Sequence, residues 1–296
     1  FWTLHHHSTL GSYLDGVGLP EAHVRRATEL LMPALAMTEH GGVESHVQLE
    51  KAAEKAGVKP LFGCEFYMVP DLEQMREEKI QKKYHLTVLA KNQTGYKNLL
   101  ALVSAAYSEG FFYEPTIDRK LLLRHRRGLV VLSGCQGSLL FCSAVGGKLI
   151  EEQDASIERA ARVARWFKKS FGDDYFIEVQ AFPELEKSRR FNPIAERLSK
   201  RLGIGLVATM DCHYTAPEEA ELQKILHNVR PGEKRTLEDM ERDWGYEAPL
   251  CPPTSDVSIY RKLRATGLSK AAADQAIINT ELIAQACTVT LPKLPM

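Results

Sequence analysis

The sequence predicts an α/β fold, a seven-stranded (β/α) barrel with a C-terminal helical extension. Short apolar runs alternate with amphipathic stretches from the start of the chain to about residue 215, the pattern of repeated βα units. Such units favour a parallel sheet covered by helices, and about seven of them in regular order are more than a small sandwich uses. From Ala216 onward the alternation stops and the remaining patterns are helical, so residues 1–215 are expected to form the barrel and 216–296 an appended region.

Each element has a local reason. Strands are expected over 2–7, 34–38, 60–69, 84–90, 128–133, 175–180 and 205–210, each a short apolar run. A helix over 20–32 opens on Pro20, and helices over 44–56, 156–171 and 193–202 stop at Gly57, Gly172 and Gly203. Proline is favoured at the first helical turn and glycine just past the last. Further helices are expected over 95–109 and 118–125, and, in the appended region, over 217–228, 237–243, 255–266 and 269–287. The charge-dense run 70–83 reads as a solvated excursion.

Composition narrows the function classes. At 296 residues and 44% hydrophobic content the chain can bury a large core. Lys+Arg and Asp+Glu balance at 38 each, so long-range attraction to nucleic acid is weak and contact needs a local patch. Arg124, Arg126, Arg127, Lys168, Lys169, Arg189 and Arg190 are the basic candidates. Six cysteines (64, 135, 142, 212, 251, 287) have no C-x-x-C spacing, which argues against a zinc ribbon or a disulfide framework. No apolar run approaches the ~20 residues of a membrane span, and no signal peptide is apparent, so a cytoplasmic protein is expected. The chain begins at Phe1 and ends on an extended Leu-Pro-Lys-Leu-Pro-Met, as a piece of something longer would.

Barrels of this kind place chemistry at the C-terminal ends of their strands. His5 and His7 stand two apart on the first expected strand and so share a face. By itself the triple-histidine run reads equally as a tag remnant. Downstream, however, strand ends offer His40, Glu65, His85, Cys135, Asp211 and His213, and Asp15 lies in the loop after the first strand. Glu65 is set in an apolar strand, where an unpaired carboxylate is costly to bury. These nine side chains exceed the four that a tetrahedral zinc takes, which points to two or three divalent ions sharing carboxylates. Mixed imidazole and carboxylate donors suit Zn, Mn or Fe.

With Leu4-His5-His6-His7-Ser8, Leu14-Asp15-Gly16, Thr38-Glu39-His40-Gly41, Gly63-Cys64-Glu65-Phe66-Tyr67, His85-Leu86-Thr87, Ser133-Gly134-Cys135 and Asp211-Cys212-His213-Tyr214 in hand, the chain resembles the PHP (polymerase and histidinol phosphatase) domain. The resemblance is to the form that opens the alpha subunit of bacterial DNA polymerase III. It implies a cluster of up to three metals held by His5, His7, Asp15, His40, Glu65, His85, Cys135, Asp211 and His213. Glu39 stands where the family usually has Asp, and the loop from His7 to Asp15 is one residue longer than usual. The segment from Asn279 to Pro292 looks like the link toward an absent polymerase palm.

The implied function is a metal-dependent phosphoesterase, a 3′ to 5′ proofreading exonuclease acting on a DNA 3′ end, with His85 or Asp211 as proton carrier. Its implied partners are the rest of a polymerase alpha subunit and other replisome proteins. Two alternatives stand beside it: a catalytically silent, metal-stabilised scaffold, and a phosphatase for a small phosphomonoester.

Overall fold

The protein is described from a computed structural model covering residues 1–147, 150–228, 236 and 248–292. Seven strands form one curled, mixed sheet: β1 (Ala34–Met37), β2 (Lys59–Met68), β3 (Tyr84–Ala90), β4 (Thr116–Ile117), β5 (Leu129–Leu132), β6 (Tyr175–Gln180) and β7 (Gly205–Thr209). The order is β1-β2-β3-β5-β6-β7, with the two-residue β4 paired to the far end of β2. Residues 2–7, expected as the first strand, make only isolated bridges. Thr3 bridges Leu35 on β1 and His6 bridges Cys212 just past β7, so this segment joins the two edges of the curled sheet.

The sheet is not all parallel, as the repeated βα pattern had implied. β3 runs antiparallel to both β2 and β5, while the β1–β2, β5–β6 and β6–β7 pairs are parallel. The reversal decides where His85 falls. It is the second residue of its strand, yet it pairs with Tyr67 near the C-terminal end of β2. A parallel β3 would have sent it to the other end.

Helices pack outside: α1 (Pro20–Glu29), α2 (His46–Ala56), α3 (Leu72–Glu77), α4 (Gln93–Ser108), α5 (Arg119–Arg124), α6 (Leu139–Val145), α7 (Ile157–Phe171) and α8 (Glu186–Leu202). Two short helices lie where the sequence showed none. Asp71 caps α3 inside the charged run by accepting from the backbone N–H groups of Glu73 and Gln74, and Ser138 caps α6 through the N–H of Phe141. α8 begins seven residues before the expected start and carries Pro193 inside it. Its buried stripe of Ser188, Phe191, Ala195, Leu198 and Ser199 is continuous through the proline, so packing offsets the ~3 kcal/mol that an internal proline costs. Beyond the sheet follow α9 (Ala220–Asn228), α10 (Asp256–Ala265) and α11 (Lys270–Ala286). The helix expected over 237–243 lies outside the described residues.

Inside the curl, side chains alternate with the strand period of two. Leu4, Ala34, Ala36, Leu61, Leu89, Val130, Leu132 and Val207 form an apolar plug, and α11 caps it with Ile283, Ala284 and Cys287. Polar contacts pin the cap: Asn279 Nδ2 donates to the Leu206 carbonyl at 2.6 Å and Lys59 Nζ to the Ala284 carbonyl at 2.7 Å. Among the described residues no helix is long and apolar enough to cross a membrane.

Candidate metal centre

At the opposite end from α11 the structure brings all nine expected residues together. Glu65, buried on β2, is the hub. Its Oε1 lies 3.3 Å from His5 Nε2, 3.1 Å from His85 Nδ1 and 3.4 Å from Cys135 Sγ, and its Oε2 lies 2.8 Å from His40 Nδ1 and 3.6 Å from His7 Nε2. Asp211 Oδ1 is 3.3 Å from His5 Nε2 and 3.4 Å from His7 Nε2. Asp15 Oδ2 is 3.2 Å from His40 Nε2 and 3.6 Å from His213 Nε2. Three groups have ligand atoms close enough to share an ion: His5, His7 and Glu65; Glu65, His85 and Cys135; and His7, His40 and His213. The groups overlap at Glu65 and His7.

Local backbone explains the delivery. Gly134 turns the chain after β5 at φ +90°, and a Cβ there would meet the His85 carbonyl oxygen at 2.7 Å. Asp211 sits in the left-handed region at φ 46°, a conformation aspartate adopts more readily than most residues.

The hydrogen-bond pattern sets the imidazoles. A carboxylate only accepts, so the 2.8 Å contact between His5 Nδ1 and Glu178 Oε1 places a proton on Nδ1 and turns Nε2 inward. Glu178 is buried on β6 and also accepts from Thr209 Oγ1 at 2.5 Å and Thr87 Oγ1 at 3.3 Å. His7 is set by a relay. Ser12 Oγ donates to Glu39 Oε2 at 2.7 Å, which leaves it to accept from His7 Nδ1 at 3.0 Å. Glu39 also takes the Ser8 hydroxyl at 2.5 Å and so holds the loop around His7. His213 Nδ1 donates to the Asp211 carbonyl at 2.8 Å, leaving Nε2 to face Asp15.

His5 Nε2, His7 Nε2, His40 Nδ1, Asp15 Oδ1, Glu65 Oε2 and Asp211 Oδ1 are buried and make no hydrogen bond of good geometry, His40 Nδ1 and Glu65 Oε2 meeting only as an ion pair at 2.8 Å. Imidazole and carboxylate lone pairs converging in a buried space repel one another unless a proton, a water or a cation lies between them, and this donor set is one that divalent metals take. Charge balance agrees. Burial works against the charged form of every group here, yet Asp211, Glu178 and Glu65 outweigh it and hold His5 well above its ordinary value. Asp15 and Glu65 do the same for His40, and Asp15 and Asp211 for His213. In turn, His85, His5 and His40 hold Glu65 well below the usual carboxylate range. His7 is the exception: burial, with His40 and His213 beside it, lowers it to about 3, so it is neutral and ready to ligate.

The sequence reading missed Glu178 and Ser12. Glu178 carried a usable signal, a carboxylate inside the apolar run Tyr175-Phe176-Ile177-Glu178-Val179. Ser12 carried none. Of the basic candidates, Arg124, Arg126 and Arg127 precede β5, and Lys168 and Lys169 end α7 before β6, so all five lie at the end away from the metal centre. Arg189 and Arg190, on the α8 turn that follows β6, lie at its end.

The PHP domain family model matches residues 3–182, a span that stops short of Asp211 and His213. DNA polymerase III subunit alpha of Treponema pallidum is 36% identical over 297 residues, covering 99% of this chain and 24% of the relative. The Deinococcus radiodurans protein of the same name is 36% identical over 303 residues, covering 99% and 21%, and that of Thermus aquaticus 34% identical over 299 residues, covering 99% and 23%. The chain thus spans between a fifth and a quarter of these relatives. With the family model covering more than half of it, the chain belongs to the PHP domain family.

Proposed function

We propose that this chain is a metal-dependent phosphoesterase, a 3′ to 5′ exonuclease acting on a DNA 3′ end within a polymerase III alpha subunit. In this reading residues 1–215 are the metal-binding barrel and 216–296 the helical region that leads toward the polymerase. The observation that carries it is the convergence of orphaned donor atoms around Glu65 in three overlapping groups, with Asp15 and Asp211 at their edges. Nine donors around shared carboxylates suit two or three ions of zinc, manganese or iron.

Bound ions would supply Lewis-acid neutralisation of a phosphodiester and a water acidified toward neutral pH. The remaining work belongs to the side chains. His5, His7 and Glu65 form the floor, almost wholly buried, and Glu178 and the Glu39–Ser12 relay fix the two imidazoles in place. His40, Asp15, His85 and Asp211 form the rim, with side chains 14–19% exposed. Exposure puts His85 and Asp211 within reach of solvent and substrate, as a proton carrier requires. Gln180 Nε2 donates to Asp211 Oδ2 at 3.3 Å and keeps that carboxylate turned to the centre.

The test pairs elemental mass spectrometry of the purified chain with degradation of a 3′-labelled primer-template by wild type and His7→Ala. Two or three ions per chain and cleavage lost in the variant support the reading. Bound metal with no cleavage under any added divalent cation would sink it in favour of the silent scaffold. Turnover of a small phosphomonoester with none of DNA would favour the phosphatase.

A further inference from the structure

The exposed aromatic side chains of the described residues are not scattered. Among the described residues they are Tyr13, Tyr107, Phe111 and Tyr113, between 48% and 68% exposed. All four belong to two segments at the mouth of the metal centre. Tyr13 follows Ser12, which bonds His7, and stands two residues before Asp15, which pairs with His40; Leu14 beside it is 60% exposed. The second segment closes on the same place. Pro115 packs where a Cβ on Gly41, next to His40, would meet it at 2.7 Å, and Thr116 pairs with Tyr67, whose ring lies 6.0 Å from that of His40. Tyr107 and Phe111 stack on each other at 6.2 Å.

Tyr113 is held outward at a cost. Its φ of 64° is strained for a bulky residue, and strain of this kind costs ~1–3 kcal/mol and persists only where surroundings impose it. The buried Lys83 imposes it, donating to the Phe112 carbonyl at 2.8 Å, lying 3.8 Å from the Glu114 carboxylate and resting over the Phe112 ring.

We propose that this aromatic rim is a stacking platform for unpaired nucleobases, holding the end of a single strand so that its terminal phosphodiester enters the metal centre. The inference rests on the nuclease reading and specifies its substrate as an unpaired end. Segments 8–16 and 107–115 contain no lysine or arginine, so their hold on a strand comes from base faces and not from phosphate charge. Only a polymer that joins anionic diesters to flat aromatic groups uses both the donor cluster and its rim. In a duplex those faces are already stacked, so a paired end gains nothing here.

The experiment is fluorescence anisotropy on the 296-residue chain with its copurified metal, using a single strand with a terminal phosphorothioate linkage to slow cleavage. The comparison strand is identical but abasic at its 3′-terminal nucleotides. Wild type should bind the base-bearing strand more tightly by about 5- to 100-fold, the range expected for stacking a base on an aromatic side chain. The difference should vanish in Tyr13→Ala/Tyr113→Ala, survive in Tyr13→Phe/Tyr113→Phe, and change little between low and moderate salt. Equal binding of the two strands by wild type, or a difference unchanged in the alanine variant, overturns the platform. Unaltered strand binding with lost affinity for the rest of the polymerase would assign the rim to a protein contact and overturn it too. Cleavage of an unmodified strand is scored separately, so absent cleavage with the base-dependent difference intact refutes the nuclease reading while supporting the platform.

Discussion

At its closed end the barrel interior is Leu61, Leu89 and Val207 under Ile283 of α11; at its open end the same three strands present Glu65, His85 and Asp211. The interior residues of each strand step two at a time from apolar to a metal-ligating type. β2 runs Leu61, Gly63, Glu65; β3, read backward, Leu89, Thr87, His85; β7 and its continuation Val207, Thr209, Asp211. The middle step is small or hydroxylic and leaves room for Glu178 to reach His5. The difference teaches how a buried cluster of charges is tolerated. The open end is costly to bury without cations, and the closed end contributes stability, ~1.5–3 kcal/mol for each large aliphatic side chain removed from water.

Substitutions at each end should therefore separate chemistry from stability. The largest effect is expected from Glu65→Ala, which removes the carboxylate common to two of the three groups. Metal content should fall and hydrolysis should drop by more than about 100-fold, beyond the range for residues that only orient ligands. Ile283→Ala at the closed end should behave oppositely, lowering unfolding stability by about 2–5 kcal/mol in urea titrations with metal content unchanged. Metal loss in that variant would mean that the two ends are coupled.

Glu178→Gln sharpens the comparison from between the ends. It keeps the shape of the carboxylate but removes the charge that holds the His5 Nδ1 proton, so metal affinity or rate should fall about 10- to 100-fold. Affinity within twofold of wild type, by competition with a chelator, would remove Glu178 from the orienting role. The smallest effect concerns His46 at the start of α2, whose Nε2 donates to the Gly63 carbonyl at 2.9 Å. Burial lowers it to about 4, so the folded chain binds fewer protons than the unfolded one below pH 6.5. Its contribution is present above that pH and is lost as pH falls, by about 1–2 kcal/mol between pH 6.5 and pH 5. His46→Gln should flatten the pH dependence of the metal-free chain's urea midpoint by that amount, and an unchanged slope would place the loss elsewhere.

Much of the centre was legible because its residues obey short-range rules. His5-x-His7 and Asp211-x-His213 share a spacing, Glu65 is conspicuous in an apolar run, and His40, Cys135, Asp211 and His213 follow their strands. What resisted was set by partners distant in sequence. Ser12 matters only because Glu39, 27 residues on, takes its proton. The α8 start was hidden by Pro193, whose local cost is outweighed by packing that no window of sequence contains.

The α/β class, the positions of most strands and helices and the ligand-type side chains were readable along the chain, because period, capping and residue chemistry are local properties. Tertiary structure alone decided the direction of β3, the conversion of residues 2–7 from a strand into the seam of the sheet, and the proton positions that turn His5, His7 and His213 inward. Strand direction depends on which edge is free when the strand docks, and a histidine tautomer depends on the acceptor opposite it. Both are fixed by contacts between residues far apart in the chain, which periodicity and composition do not encode.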